Sequence, residues 1–230
     1  MRICYNNKNL TNPQEDFEMT PTQKERYDKL GQSVVKALNA RYFEAYYCAN
    51  AKEASAKLLS LIPETDTVAW GGSQTLGEIG AQDQLRARGQ TLIDRDTAKT
   101  PEERNAMMRA ALTADTFMMS SNAITEDGQL VNMDGNGNRV AALIYGPRQV
   151  IVVAGLNKVA KDLDAAIARV RGTAAPTNAQ RFPINTPCKV TGTCADCKSP
   201  DCICANMVVT RICKPHGKIK VILVGENLGM

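Results

Sequence analysis

Apolar positions along the chain alternate between short continuous runs and stretches with helical spacing. Leu30, Val34, Val35 and Leu38 recur at helical intervals behind Thr20-Pro21, a capping hydroxyl followed by a proline suited to the first helical position. Phe43 to Ala49 reads as a buried strand. Asn50-Ala51-Lys52-Glu53 then predicts a cap with its reciprocal glutamate, opening a helix with Ala54, Leu58, Leu59 and Ile62 on one face. The alternation continues with strand Thr67 to Trp70, helix Thr75 to Arg88, strand Thr91 to Asp94, helix Pro101 to Ala114 and strand Thr116 to Ser120. Further on come the apolar run Val150 to Ala154, an amphipathic helix Val159 to Val170 and a buried strand Ile219 to Val224. Residues 1–19, aperiodic and carrying Asn6, Asn7, Asn9, Asn12 and Pro13, predict an N-terminal arm before an α/β domain at 20–230. Strands alternating with helices imply a mostly parallel sheet covered on both faces, an α/β sandwich.

Composition narrows the class. With 230 residues, 43% apolar and 23% charged, the chain has the make-up of a globular protein and needs no staple to fold. Its net charge of +4 comes without long basic blocks, which argues against nucleic acid as a partner. No apolar run reaches the 18 or so residues of a membrane span, and Met1 to Lys8 lacks the apolar stretch of a signal peptide, so a cytoplasmic location is expected. The single histidine, His216, excludes centres that need two imidazoles. A homodimer stays open, as the commonest oligomer.

In parallel α/β sheets ligands sit in the loops leaving the carboxyl ends of the strands. Four such loops are polar and glycine-bearing. Trp70-Gly71-Gly72-Ser73-Gln74-Thr75 joins a strand to a helix start, where free amides and the Ser73 and Thr75 hydroxyls suit a carboxylate or phosphate; the alternative is a tight turn with a helix cap. It contains neither a dinucleotide fingerprint nor a P-loop. Ser120 to Gly128 offers Ser121 and Asn122 as ligand contacts and Glu126 as a conceivable base or nucleophile, against the plainer view of Glu126-Asp127-Gly128 as an exposed turn. Asn132 to Arg139, with Asp134 and Asn138, is too short for a calcium loop; Arg139 could clamp a carboxylate through two hydrogen bonds or lie on the surface. Gly155-Leu156-Asn157-Lys158 would add Asn157 and the charge of Lys158 to the same rim, unless Lys158 is a solvated helix-start residue.

Six of the eight cysteines crowd residues 186–213. Cys194 and Cys197 form a CxxC pair, and Cys188 and Cys204 lie near enough to complete four thiolate ligands, with Cys202 as an extra thiol. Zinc, an iron-sulfur cluster, free loop thiols and an adventitious disulfide all remain open for this segment.

Taken together, Trp70 to Leu76, Ser121 to Gly128, Asn132 to Val140 and Gly155 to Val159 resemble the LUD-domain family, the lactate-utilisation proteins of the LutC and YkgG type. The resemblance spans about residues 20–230 and includes a cysteine segment of this kind. It implies a Rossmann-like α/β sandwich with a mostly parallel sheet, similar to ribose-5-phosphate isomerase and the CoA transferases. It also implies a component of 2-hydroxy acid (lactate) oxidation that binds a small anionic metabolite and works beside iron-sulfur redox partner proteins. A subunit of an L-lactate oxidising system is therefore the leading expectation. A stand-alone transferase or isomerase using Glu126, and a cysteine-ligated electron-transfer protein, are the competing ones.

Overall fold

In the computed structural model, which describes residues 19–230, Thr20 closes a capping box at the head of α1 (Pro21–Ala40). Its hydroxyl accepts from the Gln23 N–H at 3.3 Å, and the Gln23 side chain accepts from the Thr20 N–H at 2.8 Å. The predicted arm, apart from residue 19, lies outside the described residues. The chain continues through β1 (Glu44–Cys48), α2 (Ala51–Ser60), β2 (Thr67–Trp70), α3 (Gln74–Glu78), α4 (Ala81–Ala87), β3 (Thr91–Ile93), α5 (Pro101–Ala110) and β4 (Thr116–Met119). Then follow β5 (Ala123–Thr125), β6 (Leu130–Asp134), α6 (Asn138–Tyr145), β7 (Gln149–Gly155), β8 (Val159–Ala160), α7 (Leu163–Arg169), α8 (Ala175–Ala179), α9 (Pro187–Thr191), β9 (Asn206–Thr210) and β10 (Ile219–Val224).

Six strands form an all-parallel sheet in the order β1-β10-β7-β4-β2-β3. Both faces are buried, which is why the central strands read as unbroken apolar runs. Phe117, Met119, Val150, Val152, Val221 and Leu223 point to a face covered by Val34 and Leu38 of α1 and Leu143 of α6. Met118, Ile151, Val153 and Ile222 point to the other, covered by Leu58 of α2, Leu76 of α3 and Leu85 of α4. Among the described residues no helix is long and apolar enough to cross a membrane.

Three expectations are corrected. The helix foreseen over 75–88 is two helices, because Gly80 takes φ +66° between them and its positive angle breaks the α ladder. The helix foreseen from Val159 begins only at Leu163, where the Asp162 carboxylate accepts from the Ala165 N–H at 2.9 Å; Val159 and Ala160 instead pair with Ile124 and Thr125. Finally, residues 120–139 are not a succession of loops. They hold the β5–β6 hairpin, the centre of a second sheet ordered β8-β5-β6-β9. Alternate residues of this sheet serve two cores. Ile124 and Leu130 join the main core, while Ala123 and Val131 pack with Ala166 and Val170 beneath α7. Gly128 (φ +89°) turns the hairpin, and a Cβ there would lie 2.7 Å from the backbone of Ala37, so the turn rests directly on α1.

Candidate functional site

The chain leaves β2 toward β3 on one side and leaves β4 toward the opposite side, so the sheet's switch point lies between these neighbours. A crevice opens there beyond the carboxyl ends. A cleft of about 650 Å³ occupies it, lined by Gly71, Gly72, Ser73, Thr75, Ser121, Asn122, Asp134, Asn138, Arg139 and Lys158, together with Arg95, Arg104, Ser120 and Arg181. Three of the four polar loops singled out in the sequence thus meet, and the fourth contributes Lys158.

The loop after β2 presents its backbone at the cleft floor. Ser73 caps α3, its Oγ accepting from the Leu76 N–H at 3.2 Å. That helix has five residues, too few for much of a macrodipole, so the floor's charge must come from side chains. A Cβ on Gly71 would lie 3.1 Å from the Arg139 stem, and one on Gly72 would lie 2.6 Å from an Arg95 terminal nitrogen. Both glycines therefore let arginines approach the main chain.

Arg139 is tied down. Its two terminal nitrogens donate to Ser120 O (3.0 Å), Asn132 Oδ1 (2.6 Å), Asn122 Oδ1 (2.9 Å) and Met133 O (2.7 Å), and Nε faces Asp134 Oδ2 at 3.6 Å. Asp134 in turn accepts from the Gly137 and Val140 N–H groups, holding the start of α6. The expected bidentate clamp on a ligand is thus spent on the protein, and Arg139 braces the two polar loops against each other. Burial holds its pKa below the usual arginine range. Ser121 is likewise structural, donating to Ala123 O at 2.8 Å and Val131 O at 3.3 Å.

Lys158 is not a solvated helix-start residue. It is 4% exposed, and its ammonium donates to Thr75 Oγ1 at 2.8 Å and Ser120 Oγ at 2.9 Å. Burial, followed by the nearby charge of Arg169 and Arg139 and only partly opposed by Glu78, brings its pKa down to about 7. The rim charge expected of Lys158 is therefore a titrating one.

Sequence reading missed Arg95. It follows β3 directly, at the ligand-binding end of the sheet, but its loop carries no glycine and so raised no signal. Its side chain is 15% exposed, Nε is buried without a hydrogen-bond partner among the described residues, and a terminal nitrogen donates to the weak acceptor Met108 Sδ at 3.6 Å. Asp96 is 3.9 Å from Nε, and its carboxylate already serves Trp70 Nε1 and Arg104. Burial and the repulsion of Arg104 lower the pKa of Arg95. Asp96 and Asp134 offset this only in part.

Two expected site residues are not brought to the cleft. Glu126 stands at the far end of β5, about 13 Å along the strand from Asn122, where its carboxylate accepts from Lys161 at 2.8 Å in the hairpin turn. Asn157 does not line the cleft and instead straps down the C-terminal segment through Leu228.

Residues Cys188, Cys194, Cys197, Cys202 and Cys204 line a second cavity, of about 220 Å³, whose walls include Met133, Cys202 and Ile203 in common with the cleft. All are free thiols. Burial, with the Cys202, Cys188 and Cys194 thiols adding to it, pushes Cys204 up to about 12. Cys213 belongs elsewhere, buried in the main core, where its sulfur faces Pro215 O.

The family model described as LUD domain matches residues 31–224. Among solved structures, a DUF162 family protein from Deinococcus radiodurans aligns at 12% identity with TM-score 0.49, covering 86% of this chain and 98% of that one. The delta subunit of eIF2B from Chaetomium thermophilum aligns at 16% identity with TM-score 0.34, covering 64% of this chain and 59% of that one. No curated protein matches.

Proposed function

The chain belongs to the LUD domain family, and from that premise we propose that its switch-point cleft binds a small carboxylate or phosphate in 2-hydroxy acid (lactate) oxidation, beside iron-sulfur redox partner proteins. One observation carries the anion reading: the Arg95 guanidinium, buried at the cleft wall against Gly72, has an Nε with no hydrogen-bond partner among the described residues and a terminal nitrogen that donates to the weak acceptor Met108 Sδ. A buried cation whose partner Asp96 stays 3.9 Å from Nε and already serves Trp70 and Arg104 is costly, and an anion entering the cleft lowers that cost. Lys158 would add a second positive charge when protonated, and Asn122 a neutral donor, since its Nδ2 has no protein partner among the described residues. Arg139 and Asp134 would keep the loops in register.

The cleft suits a small, hydrogen-bonding ligand better than an apolar one, because its floor is backbone, hydroxyl and guanidinium. Glu126 takes no part in this reading, being held at the distal hairpin turn. Titration calorimetry with phosphate, lactate and pyruvate tests it. At least one should bind, and Arg95→Met should weaken that binding about ten- to a hundredfold, the value of one or two charge-assisted hydrogen bonds. Equal affinity in the variant, or no heat with any of the three anions, would sink the reading.

A further inference from the structure

From Thr193 to Ala205 the chain has no helix or strand, and the only backbone–backbone hydrogen bond within this stretch runs from the Cys202 N–H to Ser199 O. A segment so poor in internal bonds needs another source of order. Its ends and corners are nonetheless held. Arg171 pairs with Asp196 at 2.6 Å inside the CxxC turn, the Asn185 N–H donates to Asp201 at 2.8 Å, and the Thr186 hydroxyl lies 3.3 Å from Cys188 Sγ. Gly135 meets the backbone of Ile203 so closely that a Cβ would sit 3.2 Å from its Cα. These contacts gather five thiols around one cavity and leave its centre open.

The geometry distinguishes two occupants. A single zinc ion draws its sulfurs to about 2.3 Å, so four cysteines would converge on one point with no room between them. Among the described residues no three Cys, His, Asp or Glu side chains converge in that way. Five cysteines instead line a cavity of about 220 Å³, which has room for a cage of several metal atoms and inorganic sulfides. We propose that Cys188, Cys194, Cys197 and Cys204 hold an iron-sulfur cluster, with Cys202 in the wall between that cluster and the anion cleft. Ligation would supply the missing order of the segment, since metal binding energy is folding energy for the loop that provides the ligands. The cluster would also lie one layer of side chains, Met133 and Ile203, from the cleft.

This inference does not rest on the anion reading. Its readout is metal content, which can fail or succeed whatever the cleft binds. The test is anaerobic purification of the full chain, followed by reconstitution with ferrous ion and sulfide. Iron and acid-labile sulfide should be recovered in equal amounts, more than one of each per chain, with a broad visible absorption that bleaches on adding dithionite. Cys194→Ser and Cys197→Ser should lose this signal, and Cys202→Ser should keep it. Far-UV circular dichroism checks that the α/β core of each variant is intact; should a variant misfold, the metal content of the unaltered chain still decides. Zinc in place of iron, iron without sulfide, or no metal after reconstitution overturns the proposal. A cluster that survives Cys188→Ser but not Cys202→Ser overturns the ligand assignment.

Discussion

Lys158 offers the sharpest test of the cleft, through Lys158→Met, which keeps the length of the side chain and removes its charge. Lowering the amine from its ordinary 10.5 to about 7 corresponds to about 5 kcal/mol in favour of the neutral form. The unfolded chain therefore holds this proton more tightly than the folded one across the window from about pH 7 to 10.5. Stability must rise with pH through that window, and below it the full penalty of burying the ammonium is present. Between pH 7 and 9 the gain is about 2 kcal/mol at 1.36 kcal/mol per unit, allowing for half-protonation at the lower end. Urea unfolding of both proteins, in reducing buffer at several pH values, measures the difference and cancels groups that titrate alike in each. The unaltered chain should gain about 2 kcal/mol relative to Lys158→Met over that range. Parallel curves would refute the reasoning, because they would mean the amine keeps its ordinary affinity for protons. The same titration governs binding. An anion favours the protonated amine, so affinity should fall as pH rises above about 7, by up to tenfold per unit, and this dependence should vanish in the variant.

Two further substitutions separate architecture from binding. Gly72→Ala would place a methyl 2.6 Å from the Arg95 terminal nitrogen; that flexible guanidinium can shift, so phosphate or carboxylate affinity should drop severalfold while the thermal midpoint barely moves. A large loss of stability would show that Gly72 serves the turn instead. Arg139→Met strips partners from Asn122, Asn132, two carbonyls and Asp134, and should cost about 3–5 kcal/mol in denaturant unfolding. A stable variant with weakened anion binding would return Arg139 to the ligand-clamping role.

The six-stranded parallel sheet was legible along the chain because strands buried on both faces must be apolar without interruption, as in Val150 to Ala154 and Ile219 to Val224. Helix starts at Thr20 and Asn50 were legible because caps are made by residues a few positions apart. The same locality placed the glycine-bearing loops at one end of the sheet, and those loops do meet in the cleft. What each polar residue does there was decided only by tertiary structure, since its partners are distant in sequence. Lys158 finds Thr75, 83 positions away, and becomes a buried titrating amine. Arg139 looks like a ligand clamp until Asn122, Asn132 and two carbonyls take its donors. Arg95 gains meaning only when Gly72 and the cleft come against it. The second sheet was hidden for a related reason: its strands run two to five residues and bury polar groups such as Asn132 and Thr125. No hydrophobic period of useful length can form there, and register comes from pairing with β9, more than seventy positions away. The cysteine spacing announced a shared centre, but whether the sulfurs meet at a point or ring a cavity depends on Arg171, Gly135 and Met133, which the chain brings to that segment only on folding.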